Sequence, residues 1–379
     1  MSLIYFDNAA TTKVDEQVVQ TMLPFLTEHY GNPSSIHGLG RRTRAAVEKA
    51  RKVIAGHLNA STAEIFFTSG GTESNNMVLK NCVRDLGVTC LISSKIEHHC
   101  VLHTVENLEE AGLKVAYVDV NEQGFFDLEH LKQLLKAHQS ENVLVSLIHA
   151  NNEIGTINDL AAIGEICKEY DALFHADTVQ TIAHFPLDLT QINVHFVSAS
   201  AHKFHGPKGV GFVYISGDTH LKPLIHGGAQ ERNMRAGTEN IAGIVGMAKA
   251  LEIAYEELEE TKAYILELKR YFKSLLQQEI PEVQVNGAQC ENCLYTVLNV
   301  SFPASIASDM LMFNLDIAGI CASAGSACSS GADQGSHVLN AIGVPADRPS
   351  IRFSFSKYNT KEEIDIAVAK LKEIIGVPA

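Results

Sequence analysis

The chain has 379 residues, a length that can form two domains around separate cores. Its 46% hydrophobic and 20% charged residues are typical of a globular protein in water, and its net charge of −14 argues against nucleic acid or an anionic membrane as a partner. No stretch approaches the roughly 20 apolar residues of a membrane span. The first residues lack the basic and apolar regions of an export signal, so we expect a cytoplasmic protein.

Short apolar runs alternate with longer amphipathic runs through the first two thirds of the chain. We predict strands at residues 64–69, 90–94, 114–120, 142–150, 172–177, 194–200 and 209–216. Strands that alternate with helices are typical of a sheet whose two faces are both covered. We therefore predict an α/β fold with a mostly parallel seven-stranded sheet.

The pattern then changes. Residues 239–279 are predicted to form one or two long helices, and shorter strands at 294–302, 317–323 and 350–356 alternate with helices after them. This arrangement predicts a smaller α+β domain. We expect residues 15–255 to form the large domain and residues 1–14 with 256–379 the small one, with the functional site in the cleft between them.

Lys203 follows an apolar strand, where a buried cation needs a partner or a chemical use. It lies between two histidines in "SASAHKFHGPKGVGF" (198–212), ahead of a Gly-Pro-Lys-Gly turn. Taken alone, such a lysine is more often a solvated surface residue. Ligands of parallel sheets bind beyond the carboxyl ends of the strands, so the other strand ends decide between the two interpretations.

The predicted strand ends carry the polar groups that one cofactor needs. Gly71 and Thr72 open a helix, whose first N–H groups can face an anion. The other polar residues at these ends are His98, His99, Asn151, Asn152, Asp177, Gln180, Ser200 and His202. Each has an ordinary structural explanation by itself, such as helix capping by Asp177. Together with Lys203 they match pyridoxal phosphate, which takes a lysine for its Schiff base, a carboxylate beside its ring nitrogen and donors for its phosphate.

Specific motifs occur along nearly the whole chain. They are "YFDNAATT", "GNPSSIH", "FTSGGTESNN", "EHH", "NNEIG", "HADTVQ", "SAHKFHGPKG", "GGAQERNMRAGTEN", "LNVSF", "SAGSACSS" and "SIRFS". In these motifs the chain resembles cysteine desulfurases of the class V aminotransferase family, and is similar to the NifS/IscS-like group that supplies sulfur for nitrogenase and iron–sulfur clusters. The resemblance implies a fold-type I pyridoxal-phosphate-dependent enzyme that converts L-cysteine to L-alanine.

The resemblance also implies roles for the matched residues. Lys203 would hold the cofactor and move the Cα proton, Asp177 would keep the ring nitrogen protonated, and His98 would stack on the ring and pass protons. Asn152 and Gln180 would bond the ring hydroxyl oxygen. The phosphate would be held by Gly71, Thr72, Ser200 and His202.

Three further matches concern the substrate and a second subunit. Thr238 would reach the phosphate of the neighbouring subunit, which implies a homodimer. Arg352 would hold the substrate carboxylate with its two-pronged guanidinium, and Asn32 would lie near the substrate.

Cys328 lies where the family keeps its catalytic cysteine. A small buried side chain is the ordinary alternative, but the surrounding Gly- and Ser-rich stretch favours an exposed, mobile loop. The resemblance implies that the Cys328 thiolate takes the sulfur as a persulfide and passes it to a reductant or an acceptor protein. The family's usual Glu-Pro after this cysteine is Gln334-Gly335 here, a departure that bears on loop shape and partner docking.

Other functions stay open at this point. A selenocysteine lyase or a class V aminotransferase would share the cofactor residues, although a transaminase would not need Cys328. A non-catalytic platform for partner proteins would not need the intact Lys203, Asp177 and His98.

The remaining cysteines receive no role. Cys100 replaces the alanine common in the family's "EHHAVL". Cys290 and Cys293 form a C-x-x-C pair, but no second pair lies at zinc-like spacing, and the histidines show no helical metal motif. We therefore predict no metal.

Overall fold

The computed structural model describes residues 3–289, 293–304, 308–325 and 335–376. Its largest sheet has seven strands: β2 Ile65–Thr68, β3 Cys90–Ser94, β4 Lys114–Val118, β5 Val143–Ile148, β6 Leu173–Asp177, β7 Phe196–Ser200 and β8 Gly211–Ile215. Their order is β2-β8-β7-β6-β5-β3-β4. Strand β8 runs antiparallel to both of its neighbours, and the other pairings are parallel. The predicted mostly parallel seven-stranded sheet is confirmed.

Helices cover both faces of this sheet. They are α1 Glu16–Thr27, α2 Gly38–His57, α3 Gly71–Leu86, α4 His99–Glu110, α5 Leu128–Ala137, α6 Leu160–Glu169 and α7 Ile241–Glu256. Adjacent strand residues point to opposite faces, so Phe67 joins the apolar cluster that includes α2, α6 and α7, whereas Phe66 joins the cluster of α3 and α4. Burial on both faces explains why the strands are continuous apolar runs.

A second group of elements packs around its own core. It consists of β1 Ile4–Tyr5, α8 Leu258–Glu279, β9 Gln284–Asn286, β10 Val297–Ser301, α9 Ser308–Ile317, β11 Ile320–Cys321, β12 Ser350–Ser354 and α11 Lys361–Ile375. The short helix α10 His337–Ala341 precedes β12 in the chain but packs Val338 and Leu339 into the core of the seven-stranded sheet. Strands β12-β10-β9 form an antiparallel sheet, and β1 pairs in parallel with β11. The aromatic rings of Phe6, Phe272, Phe353 and Phe355 meet in this core. The domain boundaries given above stay a prediction.

The sheet fixes where the polar side chains gather. Strands β3, β5, β6 and β7 run in parallel, so the residues after their last positions lie along one edge. Helix α3 begins three residues after β2, at the same edge. In the described part of the chain, no helix is both long enough and apolar enough to span a membrane.

Candidate active site

A cavity of about 420 Å³ lies at the carboxyl ends of the parallel strands. We call it the Lys203 cavity. Of the residues predicted from the sequence, it brings together Gly71, Thr72, His98, Asn152, Asp177, Gln180, Ser200, His202 and Lys203. Residues more than 130 positions apart in the chain therefore face one space, as the positions of the strand ends require.

Lys203 is held by the backbone of the N-terminal segment. It ends the short 3₁₀ turn Ala201–Lys203 that follows β7 directly. Its Nζ donates to the carbonyl oxygens of Ala9 at 2.5 Å and Ala10 at 2.9 Å. The ammonium group is thus presented at the cavity wall by two backbone acceptors.

Asp177 is the last residue of β6 and is only 3% exposed. Its Oδ2 accepts from Nδ2 of Asn75 at 2.7 Å, and its Oδ1 accepts from the backbone N–H of Val179 at 3.0 Å. Burial raises the pKa of this carboxyl group, while the two hydrogen bonds and the charge of Lys203 act in the opposite direction. Carboxylate oxygens offer about four lone-pair sites, so Asp177 can accept a further N–H from a molecule in the cavity.

His98 caps the N-terminus of α4. Its Nδ1 accepts from the backbone N–H of Cys100 at 3.1 Å, so the hydrogen of the neutral ring lies on Nε2. Burial, and next the charge of Lys203, lower the pKa of His98 to about 4. The imidazole is therefore neutral at physiological pH and faces the cavity as a flat, uncharged group.

The N-terminus of α3 forms a cradle for an anion. Gly70 precedes this helix at φ +147° and no side chain caps the first turn. A Cβ on Gly71 would come within 2.6 Å of Cγ2 of Val179, so the backbone approaches its neighbours as only glycine allows. Ser200 and His202 border the same cradle. Exposed N–H groups and the positive end of the helix dipole suit an anion such as a phosphate group.

Arg352 lies beside the cavity rather than in its lining. It is 1% exposed on β12, where Nη1 donates to the carbonyl oxygen of Asn152 at 3.0 Å and Nη2 donates to Oδ1 of Asp7 at 2.9 Å. Its Nε finds no acceptor among the described residues. The buried Nε–H of Arg352 is therefore available as a donor to a further acceptor.

The other predicted site residues are not brought into the Lys203 cavity. Asn32 is exposed, and its Oδ1 accepts from the N–H of Ser34 at 2.9 Å. Thr238 lines a neighbouring cavity of about 160 Å³ that shares Ser69 and Gly209 with the Lys203 cavity. Its predicted contact with a second subunit stays a prediction.

The predicted catalytic Cys328 lies outside the described residues, as do Gln334 and Cys290. Within the described ranges, no group of three or more His, Cys, Asp or Glu side chains could hold a metal ion.

Several residues of the cavity were missed by the sequence reasoning. Asn75 holds Asp177, and its position one helical turn after Gly71 could have predicted that it faces the same edge. Ala9 and Ala10 act through backbone carbonyls, which leave no signature in side-chain type. Cys100, to which the sequence assigned no role, also lines the cavity.

Pyridoxal phosphate fits these residues. The α3 cradle suits its phosphate, the buried Asp177 carboxylate suits its ring nitrogen, the flat His98 suits its ring face and the Lys203 amine suits its aldehyde. The fold and the cavity thus define a pyridoxal-phosphate-dependent enzyme.

Comparison with known proteins agrees. The family model "Aminotransferase class-V" matches residues 4–366. The cysteine desulfurase IscS of Dictyoglomus turgidum is 46% identical over 376 residues, which cover 98% of this chain and 94% of the relative. The putative cysteine desulfurase IscS 1 of Bacillus subtilis is 42% identical over 99% of each chain. The chain belongs to the class V aminotransferase family, as its motifs predicted.

Solved structures support the same conclusion. A NifS-like protein superimposes with a TM-score of 0.92 at 41% identity and covers all of both chains. A structure of SspA in complex with cysteine gives a TM-score of 0.82 at 33% identity and covers 94% of this chain and 100% of the other. The predicted fold class is confirmed.

Proposed function

We propose that this chain is a pyridoxal-phosphate-dependent cysteine desulfurase that converts L-cysteine to L-alanine and collects the sulfur as a persulfide on Cys328. The observation that carries the proposal is the Lys203 cavity, which joins an amine, a buried carboxylate and an anion cradle. Relatives named cysteine desulfurase at 42–46% identity support the choice of L-cysteine as substrate.

Each end of the cofactor has its own residues. Gly71, Thr72, Ser200 and His202, which line the Lys203 cavity, would hold the phosphate, and Asp177 would accept the N–H of the ring nitrogen. When bound, pyridoxal phosphate supplies an electron sink for bonds at the α-carbon of the amino acid. The charge of Asp177 would keep the ring nitrogen protonated and so maintain that sink.

The chain's own groups then orient the substrate and move its protons. The Nζ of Lys203 takes the proton from Cα of L-cysteine and later returns a proton to the product. His98 would stack on the face of the cofactor ring, and its Nε2–H would be its available donor, because Nδ1 accepts the N–H of Cys100. Arg352 would bind the substrate carboxylate through two donors. Its Nε has no acceptor among the described residues, and its Nη2 would leave Asp7 to donate to the carboxylate instead.

Sulfur transfer requires the thiolate of Cys328. It attacks the substrate sulfur, a new S–S bond forms and the C–S bond breaks. The electron pair of that bond stays with the carbon skeleton, which takes up a proton to become L-alanine. The persulfide passes its outer sulfur to a thiol reductant or to an acceptor protein, and the IscS name of the relatives favours acceptors in iron–sulfur cluster assembly.

The enzyme acts as a homodimer in this proposal, with Thr238 of one subunit at the phosphate of the other. Exposed apolar side chains on α1, on the segment after it and at the start of α2 support burial against a second copy. They are Val19, Leu23, Leu26, Tyr30, Ile36 and Leu39.

The test compares Cys328→Ser with the matched control Cys293→Ser, a half-buried cysteine outside the Lys203 cavity. We expect Cys328→Ser to retain the visible absorption of the bound cofactor and lose alanine formation from L-cysteine and the +32 Da persulfide in intact-protein mass spectra. Cys293→Ser keeps all three. Full alanine formation by Cys328→Ser would show that Cys328 is not the thiol that takes the sulfur and would overturn this part of the proposal. Bound cofactor without alanine formation in the wild type would favour a selenocysteine lyase or an aminotransferase.

A further inference from the structure

Cys100 occupies a defined place in the Lys203 cavity. It is the second residue of α4, and its half-buried side chain lines the cavity wall. Its Sγ lies 3.0 Å from Nδ1 of His98 and 3.2 Å from Nδ2 of Asn75. The side chain therefore touches two groups that face the cofactor position.

The direction of the hydrogen bond to His98 follows from the backbone. Nδ1 of His98 already accepts the N–H of Cys100 at 3.1 Å, so this nitrogen carries no hydrogen. The contact between Sγ and Nδ1 can then be attractive only if the S–H donates. Burial raises the pKa of the Cys100 thiol to about 12, so the hydrogen is present at physiological pH.

Asn75 completes the connection to the carboxylate. The two hydrogens of its amide go to Sγ of Cys100 and, at 2.7 Å, to Oδ2 of Asp177. Rotating the amide by 180° would place its oxygen against the carboxylate, which fixes the orientation. A continuous chain of donors therefore runs from Asn75 through Cys100 to His98, and Asn75 also anchors Asp177.

We propose that Cys100 is a positioning residue that holds His98 as the neutral Nε2–H tautomer at a fixed ring angle and couples that ring to Asp177 through Asn75. The role rests on the proposed function, in which His98 stacks on the cofactor. Alanine at this position would keep the backbone bond and lose the thiol bond. Serine would restore a donor.

The other titratable groups around His98 stay the same in these variants. The lowered pKa of His98 also reflects Lys203, His99, His103 and His337. Removing the thiol takes away a donor to the neutral ring and opens space for water, so protonation of His98 becomes easier. We expect the pKa of His98 to rise by about 0.5–1 unit, the equivalent of one lost hydrogen bond.

The first test needs no turnover. Ring ¹³C and ¹⁵N signals of histidine are recorded from pH 8 down to about pH 3.5, a range that includes the pKa of His98 near 4, for the wild type, Cys100→Ala, Cys100→Ser and the control Cys293→Ala. His98→Gln assigns the signal. We expect an Nε2–H signature for His98 in the wild type, an upward shift of its titration in Cys100→Ala and rescue in Cys100→Ser. An unchanged His98 titration and tautomer in Cys100→Ala would overturn the proposal, provided circular dichroism shows a folded chain.

A second test uses the enzyme loaded with cofactor. The acid limb of the kcat/KM profile should move to higher pH in Cys100→Ala by the same 0.5–1 unit, with no such shift in Cys293→Ala. Rapid alkylation of Cys100 by iodoacetamide at pH 7 would show a thiolate and contradict the donor role. If the histidine signals shift while the wild type releases no alanine, the positioning of His98 stands and the proposed function fails.

Discussion

Burial shifts the pKa values of three side chains in the Lys203 cavity, upward for the carboxyl group and downward for the two imidazoles. The pKa of Asp177 is raised, and the pKa values of His98 and His202 are lowered to about 4. In each group burial disfavours the charged form. A ligand with a protonated ring nitrogen and a phosphate group brings charges of its own into the cavity. The side chains that would stabilise these charges are already in place, so the cavity is suited to that ligand before it binds.

Asp177→Asn tests whether the carboxylate of Asp177 contributes to cofactor binding. The variant keeps the size of the side chain and removes the charge that faces the ring nitrogen. A hydrogen bond to a charged group is worth about 1.5–3 kcal/mol, so we expect the dissociation constant of pyridoxal phosphate to rise about 10- to 150-fold. Equilibrium dialysis measures it.

The control for this measurement is Asp171→Asn, an exposed aspartate at φ +54° in the turn before β6. Asparagine accepts that backbone conformation, so cofactor affinity should not change. Equal affinities for the wild type and Asp177→Asn would show that the carboxylate does not contact the cofactor.

At the scale of elements, the turn from β2 to α3 leaves no room for a side chain at its first helical residue. Gly71 must lie close to Val179, and Ser74 and Thr68 hold the turn from behind with an Oγ to Oγ1 contact of 2.9 Å. A methyl group at residue 71 would push the helix start away from the residues after β6. The anion cradle therefore depends on the absence of a side chain.

Gly71→Ala should lower both cofactor affinity and stability. The new Cβ would lie 2.6 Å from Cγ2 of Val179, and strain of this kind typically costs about 1–3 kcal/mol. Urea unfolding and dialysis measure the two effects.

Gly56→Ala is the matched control, because nothing lies within 4 Å of a Cβ there and the position is inside α2. It should stabilise the chain by up to about 1 kcal/mol and leave cofactor affinity unchanged. The prediction fails if both alanine variants behave alike.

The elements were largely predictable because strands buried on both faces are short apolar runs. The predicted strand at 172–177 corresponds to β6, and the helix expected near Thr72 is α3. Side-chain chemistry at strand ends also predicted Lys203 and Asp177. The missing information lay in backbone acceptors such as Ala9, and in contacts between distant segments such as Asp7 with Arg352, which no local pattern reveals.

At the scale of the whole molecule, partly or fully buried histidines with lowered pKa values link folding to pH. Burial lowers the pKa of His149 and His184 to about 4 and that of His175 to about 3. His175 bridges Ser146 of β5 and Ser198 of β7 across the centre of the sheet. In the unfolded chain these rings titrate near 6.5, so the unfolded state binds more protons as the pH falls.

The free energy of unfolding should therefore decrease as the pH falls below about 6.5 and continue to decrease towards pH 4. Between pH 7.5 and pH 5, each histidine with a pKa near 4 should lower the free energy of unfolding by about 2 kcal/mol. The free energy of unfolding is measured with urea at both pH values. In His149→Gln its decrease from pH 7.5 to pH 5 should be smaller than in the wild type by about 2 kcal/mol. Exposed His220→Gln serves as the control and should leave the loss unchanged. An identical loss in wild type and His149→Gln would contradict this linkage.

The central claim is tested most directly by turnover of L-cysteine. Purified chain loaded with pyridoxal phosphate is given L-cysteine and a thiol reductant, and L-alanine and sulfide are measured over time. A cysteine desulfurase predicts equal, sustained release of both products. A visible cofactor band without either product would contradict the account.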